Sequence, residues 1–476
     1  MTTLTLNLNP APIMLGLLHE PQLCYLLVSI GAVGTNGARP VNWALVADAS
    51  RSMRIPIVDE AQFRALVREG GAQETLVDGV PVWQLTGPVP PAVRAVSHSA
   101  LDQVAKALHS IVERLDSQDR FALVACAEEA VLLTRSSSGA QRVELVRAIS
   151  RLSSLNLGEQ TDLAQGLELG LHELRRGRDG QRAERLLLLT DGFTQRPEVC
   201  AQLASTAAAE GIAISTVGLG GEFQEELLTA LADQSGGRAV FLRKPEAIPR
   251  AIAAERAAAR AVAARAVALH AAPVEGVKLR RVTRIRPSLT ILYEDRRLTQ
   301  RASAPVEEQS EQGAEAPRAV PPAIRLGDLE SGAPVLLLLE FLAPPPAGRA
   351  SLGRLTLTSD GTPAAQTELF VAYQAGMPAP PPELLDAAAR ASVARIQRRA
   401  LVALANGAIP EAVRLLRAAA QRLEDLGERA LAEAARTQAA TLERTGQTNP
   451  VANKELTYAT RRLGGEGPDT EIHGES

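Results

Sequence analysis

At 476 residues the chain is long enough for about two or three domains. Its 51 basic and 54 acidic residues nearly cancel and aromatics make up 3%, which excludes a strong field for nucleic acid and a base-stacking surface. No stretch approaches the ~18 apolar residues that a membrane span requires.

Residues 1–40 read as strands. Leu4, Leu6 and Leu8 alternate with polar residues, and 23–30 is a longer apolar run. Between 41 and 260 the pattern becomes strand–helix alternation. A buried strand at 42–48 leads, after an inserted segment at 54–96, to a helix at 99–115 with Leu101, Val104, Leu108, Ile111, Val112 and Leu115 on one stripe. Ser99 and Asp102 at its start have the spacing of a capping box. A hairpin at 120–134 and a helix at 140–151 follow. The helix at 162–175 carries Leu163, Leu167, Leu171 and Leu174 on one face. Strands at 185–190, 212–217 and 238–242 then alternate with helices at 197–209, 223–234 and 245–260. This order predicts an α/β fold, a doubly wound, Rossmann-like and mostly parallel sheet covered on both faces.

The segment 54–96 has features of its own, a helix at 59–69 and a hairpin around Asp78-Gly79. It leaves the chain beside Ser52. It is therefore either a lid or partner-selecting wall, with Trp83 as an anchor, or an insert folded on its own apolar residues. Strands at 263–270, 277–285, 289–293, 335–342, 353–358 and 367–373 occupy 261–376. Together with 1–40 they predict an antiparallel β-sandwich built from both flanks. The Pro-, Glu- and Ala-rich run 302–322 reads as a mobile loop. Helices at 383–405, 410–426 and 428–445 form a predicted helical bundle over 380–446, punctuated by Asn406-Gly407, Pro410, Gly427 and Gly446. No copies repeat, so a solenoid is not expected. Residues 464–476 read as a disordered tail.

Chemistry concentrates at three strand or helix ends. Asp48-Ala49-Ser50-Arg51-Ser52 follows the apolar run 43–47, Thr161 precedes the helix at 162–175, and Asp191 follows the strand at 185–190. These side chains offer only oxygen, the donor that hard divalent cations select. Alternate residues of one extended loop, Asp48, Ser50 and Ser52, can point the same way. Ser, Thr and Asp at such positions also serve as helix N-caps, Thr161 included.

The ordered set Asp48-x-Ser50-x-Ser52, Thr161 and Thr190-Asp191-Gly192 resembles the metal-ion-dependent adhesion site of von Willebrand factor type A domains. The resemblance runs over roughly 40–260 apart from the insertion. It implies Ser50, Ser52 and Thr161 as hydroxyl ligands of Mg²⁺, with Mn²⁺ or Ca²⁺ as alternatives, and Asp48 and Asp191 as carboxylates acting largely through water. The Gly that the family usually has between the two serines is Arg51 here. That substitution puts a long cation beside the ion and makes Arg51 a candidate for partner contact. The stretch 325–329 and the flanking strands and helices resemble those of bacterial proteins of the same family.

Neutral hydroxyls leave an ion much of its charge, so a carboxylate from another molecule would complete the site. The expected function is a Mg²⁺-dependent protein–protein interaction module or scaffold that binds an acidic residue of a partner. Two alternatives stand beside it, self-association through an acid of the chain itself and a substrate-recruiting or regulatory subunit of an AAA+ ATPase assembly. An enzyme is not expected. A phosphotransferase of the haloacid-dehalogenase type would need a second carboxylate two residues after Asp48, where Ser50 stands. There is no Gly-x-Ser-x-Gly elbow and no Walker loop, and the six histidines do not cluster. Cys24, Cys126 and Cys200 lie far apart without CxxC spacing, and the N-terminus lacks a signal-length apolar core, so the expected location is cytoplasmic.

Overall fold

The computed structural model describes residues 3–34, 39–55, 60–77, 80–87, 98–221, 223–295, 323–345, 350–376, 379–447 and 449–465. At its centre lies Val41–Asp48, buried at every position. Successive side chains of a strand point to opposite faces, so such a strand needs cover on both sides. Trp43, Leu45 and Ala47 pack with the helices Ala100–Val112, Arg142–Leu152 and Ile248–Arg260. Ala44 and Val46 pack on the other face with Leu163–Gly177, Pro197–Ala209 and Glu225–Ser235. Gly166 and Gly170 let the helix Leu163–Gly177 lie close to the sheet, because a Cβ at either would fall within 3 Å of Val46.

The six-stranded sheet runs in the order Ala239–Leu242, Ala213–Leu219, Ala183–Thr190, Val41–Asp48, Arg120–Cys126, Ala130–Ser138. All pairings are parallel except the last, which is an antiparallel hairpin. From Val41–Asp48 the chain builds outward on one side, then returns to build outward from Ala183–Thr190 on the other. Ala47 pairs in register with Leu189, so the ends of these two strands lie side by side at the point where the winding reverses. A crevice at the carboxyl ends of the strands forms at such a reversal.

The flanks form two five-stranded sheets packed around one apolar core. Strands Gln22–Val33 and Val335–Ala343 are paired from Val335↔Ile30 to Ala343↔Gln22, so segments far apart in sequence share one sheet. Leu27 and Leu338 face outward and are covered by Leu384, Ala387 and Ala391 of the helix Pro382–Ala405. That second cover explains why 335–342 is apolar almost throughout.

Three features differ from the expectation. The sandwich is not wholly antiparallel, because Ile13–Gly16 runs parallel to Val371–Gln374. Ile324–Glu330 is itself a strand, paired with Val262–Pro273 through several register shifts, although it reads as the approach to a strand. Gly327 there adopts φ 77°, which disguises the period-2 pattern. The bundle also has a fourth helix, Pro450–Arg462, after the predicted end at 446. This last helix reaches the α/β unit, where Tyr458 stacks on Phe241 and Lys454 donates to the Gly221 carbonyl.

In the insertion, the helix Glu60–Arg68 and the hairpin of Ala72–Val77 with Val80–Leu85 are present. Their connections at 56–59 and 88–97, the loop tip at Asp78-Gly79, the run 302–322 and the tail from 466 lie outside the described residues. Among the described residues no helix is long and apolar enough to cross a membrane.

Candidate metal centre

The three expected loops meet. Asp48, at the end of its strand, is fully buried, and its Oδ1 accepts from the Ser50 backbone N–H at 2.9 Å. That turn brings the Ser50 hydroxyl to 3.1 Å from the Ser52 hydroxyl, and Ser52 in turn donates to Asp191 Oδ1 at 2.8 Å. Thr161 Oγ1 stands 3.4 and 3.5 Å from the two Asp48 oxygens. Asp48, Ser50, Ser52, Thr161 and Asp191 thus form one continuous oxygen cluster. The backbone of Gly192 lies over it, where a Cβ would sit 3.5 Å from Thr161 Oγ1.

The cluster is closed below and open above. Ser50 and Thr161 are buried with Asp48, Asp191 is half-buried and Ser52 is exposed. Burial pushes the Asp48 carboxyl above its ordinary range, and hydrogen bonds from Thr190, Ser50 and Thr161 oppose this. A cation beside Asp48 would favour the carboxylate by the same physics. Among the described residues no group of three or more His, Cys, Asp or Glu side chains is placed to hold a metal. The cluster at Asp48 offers three hydroxyls besides its two carboxylates.

Thr161 does not cap its helix. Asp162 is the N-cap and accepts from the Ala164 N–H at 3.2 Å, while Thr161 stays free to face Asp48. Arg51 turns outward and pairs with Glu159 at 2.9 Å, both side chains 70% exposed. Trp83 sits opposite Glu74 in the insertion hairpin, and its side chain lies outside what the structure describes. One residue of the motif has a role that the ligand set does not give it. Thr190 Oγ1 donates to Asp48 Oδ2 at 2.6 Å and accepts from the Gly192 N–H at 3.1 Å, fixing both the carboxylate and the Asp191 loop. Its signal is a hydroxyl at the end of an otherwise leucine-rich strand, directly after Leu189, which pairs with Ala47.

The von Willebrand factor type A domain family matches residues 94–253. The chain contains a von Willebrand factor type A domain. The match begins at residue 94, near the end of the insertion, and includes Thr161 and Asp191, while Asp48, Ser50 and Ser52 lie before it, at the end of the central strand of the same sheet. Residues 382–466 match the Sll0103-like, C-terminal alpha-helical domain, which takes in all four C-terminal helices. An uncharacterized protein of Synechocystis sp., sll0103, is 25% identical over 147 residues, 30% of this chain. The matched part spans about a third of that relative, 34% of its length. Similar architecture extends over nearly the whole molecule. A von Willebrand factor type A protein from Catenulispora acidiphila superimposes with a TM-score of 0.69, at 14% identity, over 97% of this chain and 96% of that one. The ArnB paralog VWA2 from Sulfolobus acidocaldarius gives 0.52, also at 14% identity, over 98% and 100%.

Proposed function

We propose that this chain is a binding module in which a divalent cation, held by its von Willebrand factor type A domain, takes a carboxylate from a protein partner. The observation that carries the reading is the oxygen cluster itself, five side chains from three loops, sealed below by buried Asp48 and open at Ser52. Ser50, Ser52 and Thr161 would hold the ion, with Asp48 and Asp191 supplying negative charge. The bound ion would act as an electrophile with a position left for an outside ligand. Mg²⁺ suits this set better than Ca²⁺. It is commonly bound through one or two carboxylates and keeps exchangeable positions, whereas Ca²⁺ takes about 6–8 oxygens, often with bidentate carboxylates.

Binding rather than catalysis is the role that these groups support. The Asp48 carboxylate is surrounded by the hydroxyls of Ser50, Thr161 and Thr190, and no second carboxylate stands two residues on to move a proton. The test immobilises the purified chain and its Ser50→Ala/Ser52→Ala variant, and compares the proteins retained in Mg²⁺ with those retained in EDTA. The reading expects partners held by the wild type in Mg²⁺ and released by EDTA. Equal retention in all four conditions would refute it.

A further inference from the structure

The rim of the metal centre carries two features that ion binding does not need. The first is Phe193, 59% exposed in a chain with 3% aromatic residues. It follows Asp191 by two residues, so their Cα atoms lie within about 7 Å. Its loop is pinned on both sides. Gly192 N–H donates to Thr190 Oγ1 at 3.1 Å. Thr194 is buried, bridges Thr161 and accepts from the Leu163 N–H at 3.1 Å. Gln224 closes the far side, accepting from the Thr194 N–H at 3.3 Å and donating to its carbonyl. A large apolar side chain held out on a loop this rigid loses little conformational entropy when a partner covers it.

The second feature is the Arg51–Glu159 ion pair on the serine side of the cluster. Arg51 lies between Ser50 and Ser52, and Glu159 lies two residues before Thr161. Arg54 donates to the carbonyls of Ser50, Leu155 and Gly158, tying the serine loop to the strip that bears Glu159. With a divalent cation in place, the rim would carry that ion and the guanidinium groups of Arg51 and Arg54 among three acids, half-buried Asp191 and exposed Glu159 and Glu128, the last accepting from the Glu159 N–H at 3.1 Å. The positive charges that an outside ligand can reach are the cation and the exposed Arg51, and both take an acidic group. An ion pair as exposed as Arg51–Glu159 contributes little and is easily exchanged.

We infer that this rim is a three-point docking surface for an extended acidic segment of a second protein. One carboxylate of the segment meets the cation, a neighbouring apolar side chain covers Phe193, and a further acidic side chain takes Arg51 from Glu159. This inference rests on the proposed metal-dependent binding and adds the kind of sequence that is bound. Alternate residues of an extended segment share a face, so the apolar residue falls within about two positions of the metal-binding acid.

The test pans a library of random displayed peptides on the purified full chain in Mg²⁺. Enriched peptides should share an Asp or Glu with an aromatic or aliphatic residue within about two positions on one side and a second acid on the other. Phe193→Ala should abolish the apolar preference and weaken the best peptide at least about tenfold. Arg51→Gly should abolish the preference for the second acid. In calorimetry Phe193→Ala should bind Mg²⁺ as the wild type does and Arg51→Gly at least as tightly, which shows that both are folded. Enrichment of acids with no apolar preference, and equal binding by Phe193→Ala, would overturn the docking surface while leaving metal-dependent binding intact. Peptides bound equally well in EDTA would overturn both. A library that yields no enriched sequence, or a Mg²⁺-dependent dimer of the chain that Phe193→Ala dissociates, would also overturn the inference, the dimer by naming a second copy as the occupant.

Discussion

Asp233 joins all three parts of the molecule and can be removed without touching the metal centre. It lies on the helix Glu225–Ser235 of the von Willebrand factor type A domain. Arg461 of the last helix donates to it through both terminal nitrogens at 2.7 Å, Arg284 of the sandwich donates at 2.8 Å, and the Thr290 hydroxyl at 3.0 Å. Burial alone would raise this carboxyl, but the Arg461 and Arg284 charges outweigh it and hold the group below its ordinary range. The guanidinium side chains are only 4% (Arg284) and 15% (Arg461) exposed. Asp233→Ala therefore leaves two like charges together with little water. Breaking a buried pair in this way costs about 3–5 kcal/mol. At about 2–4 °C per kcal/mol for a unit of this size, the affected transition should fall by roughly 10 °C. Scanning calorimetry reads that shift, and limited proteolysis should show new cleavage between the bundle and the domain. Arg461→Ala in the same background should cost far less than alone, a coupling above about 1 kcal/mol. Unchanged melting and cleavage in Asp233→Ala would refute the claim that this charge cluster holds the parts together.

Other substitutions probe separate points. Burial raises the Glu184 carboxyl to about 7, against hydrogen bonding from Asn42 and the nearby Arg178 charge. A folded pKa above the unfolded one means that stability is fully present below about pH 4.5 and is lost as pH rises through about 7, an amplitude of about 3 kcal/mol. Glu184→Gln should flatten the fall in urea midpoint between about pH 5 and about pH 8, and an unaltered slope would contradict the assignment. Gly236 has φ 77°, and a Cβ there would lie 2.3 Å from Gly327 Cα, where the domain meets the sandwich. Gly236→Ala should destabilise by at least about 2 kcal/mol in thermal melting. Thr190→Val removes the hydroxyl that orients Asp48. It should lower Mg²⁺ affinity about 10–100-fold with the fold intact by circular dichroism.

The convergence of the oxygen cluster is legible because Asp48 and Asp191 sit where buried strands end, and a strand that must be apolar on both faces stands out from its neighbours. Val41–Asp48 and Ala183–Thr190 are such strands, and their register then dictates that Asp48 and Asp191 are close. Thr190 belongs to the quoted motif, but its role is not legible there, because it acts by holding another side chain and a strand-end threonine has many other uses. The last helix was missed for a different reason. It buries Lys454, Tyr458 and Thr460 beside Leu456, so it has no apolar stripe to betray it. Its only local signal was Asn449 before Pro450, where the Asn449 side chain accepts from Val451 and Ala452 N–H groups. Ile324–Glu330 was obscured by Gly327 and Asp328. Asp328 accepts from the Ala266 N–H and lies 3.5 Å from Arg185, so a charge in mid-strand is tolerated for a reason that is not local. The parallel pairing of Ile13–Gly16 with Val371–Gln374 joins opposite ends of the chain and has no signature in either segment.

Titration calorimetry of Mg²⁺ into the full chain and into Ser50→Ala/Ser52→Ala tests the central claim most directly. The account predicts one cation per wild-type chain, and loss of that binding in the variant with its secondary structure unchanged. A variant that binds Mg²⁺ as the wild type does, or a wild type that binds none, would contradict it.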